Sequence, residues 1–134
     1  MAGIERERIL LVDDDRNILE VLKMRLESKG YFVTASDNGP DAIDKVKKDG
    51  FDLVISDLRM TEMNGMELMQ EVINIDPEMP IIILTAHGSI ENAVEAMQNG
   101  AYSYITKPFD DENLILHIKN AVEKHRLTSQ IKDL

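Results

Sequence analysis

Cysteine is absent from the 134 residues, which excludes disulfides, thiolate metal sites and thiol catalysis. A chain without thiols suits a reducing compartment. Tryptophan is absent too, and all aromatics together make up 4 %, so aliphatic side chains must fill the interior. Positive charge is scarce: 15 Lys and Arg stand against 25 Asp and Glu, a net charge of −10. That sign repels phosphate backbones and argues against direct nucleic-acid binding. It favours cationic partners or a bound divalent metal. Long apolar runs are missing as well. The opening "MAGIERERIL" has no signal-peptide core, and no stretch approaches bilayer-spanning length. A soluble, cytoplasmic protein is the expectation.

The hydrophobic fraction of 43 % is enough for one real core, and the length fits one domain. Short apolar runs alternate with amphipathic segments. Strand-like runs are "RILLVD" (8–13), "YFVTAS" (31–36), "FDLVISD" (51–57), "IIILTA" (81–86) and "AYSYIT" (101–106). Helical periodicity marks 16–30, 38–50, 65–76 and 89–100, and one long helix from about Asp110. Gly30 and Gly50 read as stops, Pro40 sits in a first turn, and Ser89 and Asp15 read as N-caps. Strands separated by helices must run parallel, and right-handed crossovers place helices on both faces. The central runs are continuously apolar, as burial on both faces requires. The expected fold is a doubly wound α/β domain with a five-stranded parallel sheet.

In such sheets, sites form beyond the carboxyl ends of the strands. The first strand ends in Asp13, Asp14 and Asp15, the third in Asp57, the fourth in Thr85, and the fifth in Thr106, Lys107 and Pro108. Several carboxylates on one edge repel one another, so they imply a cation. Hard oxygen ligands with incomplete coordination suit Mg²⁺. A carboxylate beside Mg²⁺, a lysine and a hydroxyl is equipped to attack a phosphoryl group. Singly, each residue has a plain role: Asp15 as a helix cap, Asp57 as a turn former, Thr85 as a β-branched strand residue, Lys107 as a surface charge. The functional reading rests on their coincidence. His87, His117 and His125 show no metal-ligand spacing and are expected in solvent, and Met60, Met63, Met66 and Met69 are expected to do ordinary packing.

With "LLVDDD", "DLVISDLRM", "IIILTAHGS" and "GAYSYITKPF" in this order, the chain resembles the receiver domains of two-component response regulators, from Arg8 to about residue 125. The resemblance implies Asp57 as phosphoacceptor and Asp14 as a direct Mg²⁺ ligand. It implies Asp13 acting through water and the Arg59 backbone carbonyl as a further ligand. Thr85 and Lys107 would be the catalytic hydroxyl and ammonium, with Thr85 and Tyr104 as the switch pair. It also implies the flavodoxin-like strand order 2-1-3-4-5 and a cis peptide at Lys107–Pro108. Where the family commonly carries Met-Pro-x-Met-Asp-Gly, this chain has "MTEMNG": Thr61 replaces the proline and Asn64 the aspartate, both outside the acid–Thr–Lys set. Arg59 and His87 match positions that tune hydrolysis.

The partner implied is a sensor histidine kinase, and "TAHGSIENAVEAMQNGAYSYITKPF" most resembles receivers of NtrC-type activators. That implies an AAA+ ATPase and a DNA-binding output domain beyond the chain. Residues 1–125 are then the receiver and 126–134 an extension of its last helix. Along that helix Leu114, Ile118, Ala121 or Val122, His125, Thr128 or Ser129 and Leu134 trace a partial heptad, with Leu127 and Ile131 as a second stripe, which points to a homodimer. The competing readings are an aspartate-nucleophile phosphatase and a flavodoxin-type electron carrier. The first wants Asp-x-Asp-x-Thr after strand one, and "DDDRN" lacks the threonine. The second wants a phosphate loop that the acidic "VDDDRN" would repel.

Overall fold

The computed structural model describes residues 6–86 and 88–132. Its elements are β1 (Arg8–Val12), α1 (Arg16–Ser28), β2 (Phe32–Ser36), α2 (Gly39–Lys48) and β3 (Leu53–Ser56), then α3 (Gly65–Ile75), β4 (Ile81–Thr85), α4 (Ile90–Gln98), β5 (Ser103–Thr106) and α5 (Asp111–Lys132). All strand pairs are parallel, as the alternation of elements predicts, and the sheet order is β2-β1-β3-β4-β5, as the resemblance implies. The strands are shorter than the apolar runs that announce them. Phe51 and Asp52 precede β3, and Ala101 and Tyr102 precede β5. Phe51 and Ala101 are buried without joining the ladder, so apolarity outruns pairing there.

The side-chain alternation of the strands divides the core in two. Ile9, Leu11, Leu53, Ile55, Ile82 and Leu84 face α1 and α5, which contribute Leu19, Leu22, Leu26, Leu114 and Ile118. Leu10, Val12, Val54, Ile81 and Ile83 face α2, α3 and α4, which contribute Val46, Leu68, Met69, Val72 and Ala96. Both faces of β1, β3 and β4 are buried, which is why those runs are apolar without a break.

The helix ends follow their signals. Asp15 caps α1 by accepting from the Asn17 and Ile18 amides, and Ser89 caps α4 by accepting from Asn92. Gly30 follows α1 at φ 97° and Gly100 follows α4 at φ 110°, left-handed positions that glycine takes without strain. Asn64 and Glu67 form a reciprocal capping box on α3, so the Asn that departs from the family pattern starts a helix.

Two readings of α5 change. Leu114, Ile118, Ala121 and Val122 are at most 2 % exposed and belong to the domain's own core, so this part of the partial heptad is not a seam for a second chain. Of its remaining positions, Leu134 and the Ser129 side chain lie outside the described residues, as does the Ile131 side chain of the second stripe. His117 and His125 are not in free solvent either. His117 Nδ1 lies 2.9 Å from Ser103 Oγ, and the His125 side chain is 11 % exposed, between Asp52 and Asp76. Spacing along the chain could not show this, because the acids that hold His125 come from other elements.

Candidate functional site

The order 2-1-3 puts the topological switch between β1 and β3, and the acids gather there. Asp57 follows β3, and its backbone N–H donates to Val12 O at 3.0 Å, so the sheet ladder aims it. Asp13 extends β1, with its N–H donating to Ser36 O at 3.2 Å. One carboxylate oxygen from each of Asp13, Asp14 and Asp57 lies within 4.8 Å of the others. Asp13 is 5 % exposed and Asp57 9 %, while Asp14 is open to solvent.

Lys107 Nζ donates to Asp13 Oδ2 at 3.3 Å and offsets part of the crowded negative charge. Burial pushes the Asp13 carboxyl above its usual range and the neighbouring Asp57 charge adds to this. The Asp15 amide and Lys107 oppose both. Leu58 N–H donates to Asp57 Oδ1 at 2.9 Å, which leaves Oδ2 outside that bond. The donor set fits Mg²⁺: three hard carboxylates close enough to share one ion, one of them open to water, and too few to complete an octahedron.

Thr85 ends β4, the strand beside β3, and is fully buried. Its carbonyl accepts from Lys107 N–H at 2.9 Å, which ties the ends of β4 and β5 together. The Lys107–Pro108 peptide is cis. Tyr104, in β5, is partly buried against the α2–α3–α4 side of the core, and its buried hydroxyl finds no hydrogen-bond partner among the described residues. Arg59 is exposed, and His87 lies outside the described residues. The site therefore joins Asp13, Asp14, Asp57 and Lys107 at one sheet edge, with Thr85 on the neighbouring strand end and Tyr104 one layer below.

Two contributors went unread in the sequence. Thr61, set outside the acid–Thr–Lys group, donates to Asp14 Oδ2 from both its N–H and its hydroxyl, each at 3.1 Å. Gly65 N–H donates to Leu58 O at 2.8 Å, and a Cβ on Gly65 would lie 2.4 Å from Asp57 O. The start of α3 thus presses directly on the backbone that carries Asp57. Gly65→Ala should cost about 1–3 kcal/mol, as overpacking against unyielding backbone does. Urea unfolding measures that loss, and the amide resonances of residues 57 and 58 should shift with it. The "MTEMNG" run did contain this glycine, but only the fold shows what it touches.

An α/β domain wound in this order, with acids at the β1–β3 switch, has the CheY-like fold. The solved structure of a response regulator receiver domain protein from Clostridium thermocellum superposes with a TM-score of 0.86 at 34 % identity, covering 91 % of this chain and 98 % of that one. The chain belongs to the response regulator receiver family: the profile described as "Response regulator receiver domain" matches residues 9–119. Among curated proteins it is 48 % identical over 116 residues to the transcriptional regulatory protein GlrR of Escherichia coli, covering 87 % of this chain and 26 % of that one. It is 41 % identical over 128 residues to ZraR of Klebsiella oxytoca, covering 96 % and 29 %. These relatives are NtrC-type regulators, and the chain spans only about a quarter of their length. With the family established, the flavodoxin reading falls away. No described helix is long and apolar enough to cross a membrane.

Proposed function

We propose that Asp57 accepts a phosphoryl group from a phosphohistidine of a sensor kinase, and that the resulting aspartyl-phosphate switches a surface of the domain. The gathering of three carboxylates beside the Lys107 ammonium, in a receiver-family chain, carries this reading. Asp57 Oδ2 attacks phosphorus as the donor's P–N bond breaks, and the electron pair leaves with the imidazole. Leu58 N–H holds the other oxygen and so fixes the attack direction. Lys107, held by Asp13, neutralises charge on the transferring oxygens. Asp14, Asp57 and the Arg59 carbonyl would hold Mg²⁺ directly, with Asp13 acting through water. Bound there, the ion supplies charge neutralisation at the phosphoryl group.

Thr85 then hydrogen-bonds a phosphoryl oxygen, and Tyr104 moves with it, changing the face formed by α4, β5 and α5. The domain acts as a Mg²⁺-dependent phosphoacceptor that can release its own phosphoryl group, rather than as a turnover enzyme. Residues 1–125 form the receiver, and 126–134 lead toward an output domain with AAA+ ATPase and DNA-binding parts. A homodimer through that extension accompanies this arrangement, with exposed Leu127 as one apolar position. A kinase partner and a transcriptional output place its action in the cytoplasm.

Incubation with Mg²⁺ and acetyl phosphate should add one acid-labile phosphoryl group per chain, seen in the intact mass, and excess EDTA should prevent it. Uptake that proceeds equally with EDTA would refute the metal-assisted mechanism. Size-exclusion chromatography after beryllofluoride treatment reads the oligomeric state of the switched form.

A further inference from the structure

We propose that Thr61 is a positioning residue for Asp14: it fixes one carboxylate oxygen so that the side chain is already set for the cation. The inference rests on the magnesium reading of the site. Both Thr61 donors converge on the same atom, Asp14 Oδ2, at 3.1 Å each, and Oδ1 takes neither bond. Asp14 is exposed, and a solvent-facing carboxylate would otherwise sample several rotamers.

The loop is shaped to deliver those donors. Met63 N–H donates to Thr61 O at 2.8 Å, closing a three-residue turn around Glu62, whose φ is 71°. That turn brings Thr61 back over the end of β1. The clamped Asp14 still contributes an oxygen within 4.8 Å of those of Asp13 and Asp57, so clamp and cluster coexist. Holding Asp14 there removes an ordering cost from cation binding, as groups that orient a metal ligand do. A proline at this position, the residue common in the family pattern, has neither an N–H nor a hydroxyl. In this chain the departure thus adds two hydrogen bonds to a ligand.

The test is the Mg²⁺ dissociation constant of the unphosphorylated chain, from backbone amide shifts of residues 13, 14 and 57 in an NMR titration. Thr61→Ser keeps both donors and should stay within about twofold of the native value. Thr61→Val loses the hydroxyl and should weaken binding about threefold. Thr61→Pro loses both and should weaken it about tenfold. Thermal midpoints in EDTA separate this from a merely structural role, because the Val and Ser variants should unfold together with the native chain. Equal constants across the series, or tighter binding in Thr61→Pro, overturn the proposal while leaving the magnesium site intact. A native chain that binds no Mg²⁺ overturns both.

Discussion

Chains carrying Asp57→Asn should take up no phosphoryl group from acetyl phosphate or from a kinase, while remaining folded. Asparagine has the same shape, and its Oδ1 can still accept from Leu58 N–H, so the local backbone has no reason to move. The amide nitrogen that replaces Oδ2 has no lone pair free for attack on phosphorus. Loss of uptake should therefore be complete and not partial. Stability should move the other way. Asp57 is one of the charges that push the Asp13 carboxyl up, so removing it relieves repulsion within a cluster that also contains Asp14. The substituted chain should unfold at a higher urea concentration than the native chain when no divalent cation is present. An acid-labile adduct on the Asp57→Asn chain, by intact mass, would move the acceptor role to another residue.

Asp52→Ala should be the most damaging of these changes for stability, and it lies at the opposite end of the sheet from the phosphoacceptor. Asp52 Oδ2 accepts from Arg8 N–H at 2.9 Å and from Arg126 Nη2 at 3.1 Å, and Oδ1 lies 3.3 Å from His125 Nδ1. His125 Nε2 also lies 3.7 Å from Asp76, at the end of α3. One carboxylate thus fastens α5 to the start of the sheet. Removing it leaves a nearly buried imidazole ring and a guanidinium with less to hold. The cost should be about 2–3 kcal/mol, below that of a fully buried pair because Arg126 can turn toward water. For a domain of this size the melting temperature should fall by about 5–10 °C. Asp52→Asn keeps an acceptor for Arg8 and should lose less. A melting temperature unchanged in Asp52→Ala would show that the cluster contributes nothing net.

The same cluster gives a pH dependence. Burial alone would raise Asp52, but His125, the Arg8 amide and Arg126 outweigh it and bring its pKa down to about 2. The hydrogen bond to Asp52 raises His125, burial opposes this, and the charges of Asp52 and Asp76 add to the rise. The Asp52 contribution is present above the ordinary carboxylate range and is lost as pH falls toward 2. The His125 contribution is complete below about 6.5 and is lost as pH rises through its raised pKa. Native stability should therefore decline on the alkaline side, and His125→Gln should flatten that decline. Urea midpoints measured from pH 5 to pH 9 test it.

The parallel sheet could be read in advance because alternation of short apolar runs with amphipathic helices leaves few ways to cover both sheet faces, whereas its strand order came with the family resemblance. Asp13, Asp14, Asp57, Thr85 and Lys107 were legible as a group because each lies at or just beyond the carboxyl end of a strand, and parallel strands deliver those ends to one edge. Local signals served as well: Asp15, Ser89 and Gly30 act on backbone within a few residues of themselves. From Leu114 to Val122 the spacing on α5 misled, because a helix facing its own core and a helix facing a partner carry the same apolar period.

What the chain's order of residues determined alone was the winding, the core-facing positions of the strands and the acids at the strand ends, since all of these follow from periodicity and direction. Tertiary structure alone decided which side chains from distant segments meet. Thr61 reaches Asp14 across 47 positions, Asp52 meets Arg126 across 74, and Gly65 touches the backbone of Asp57 only because α3 starts against it. Such contacts depend on distances of a few ångströms between loops, and hydrophobic pattern carries no information at that scale.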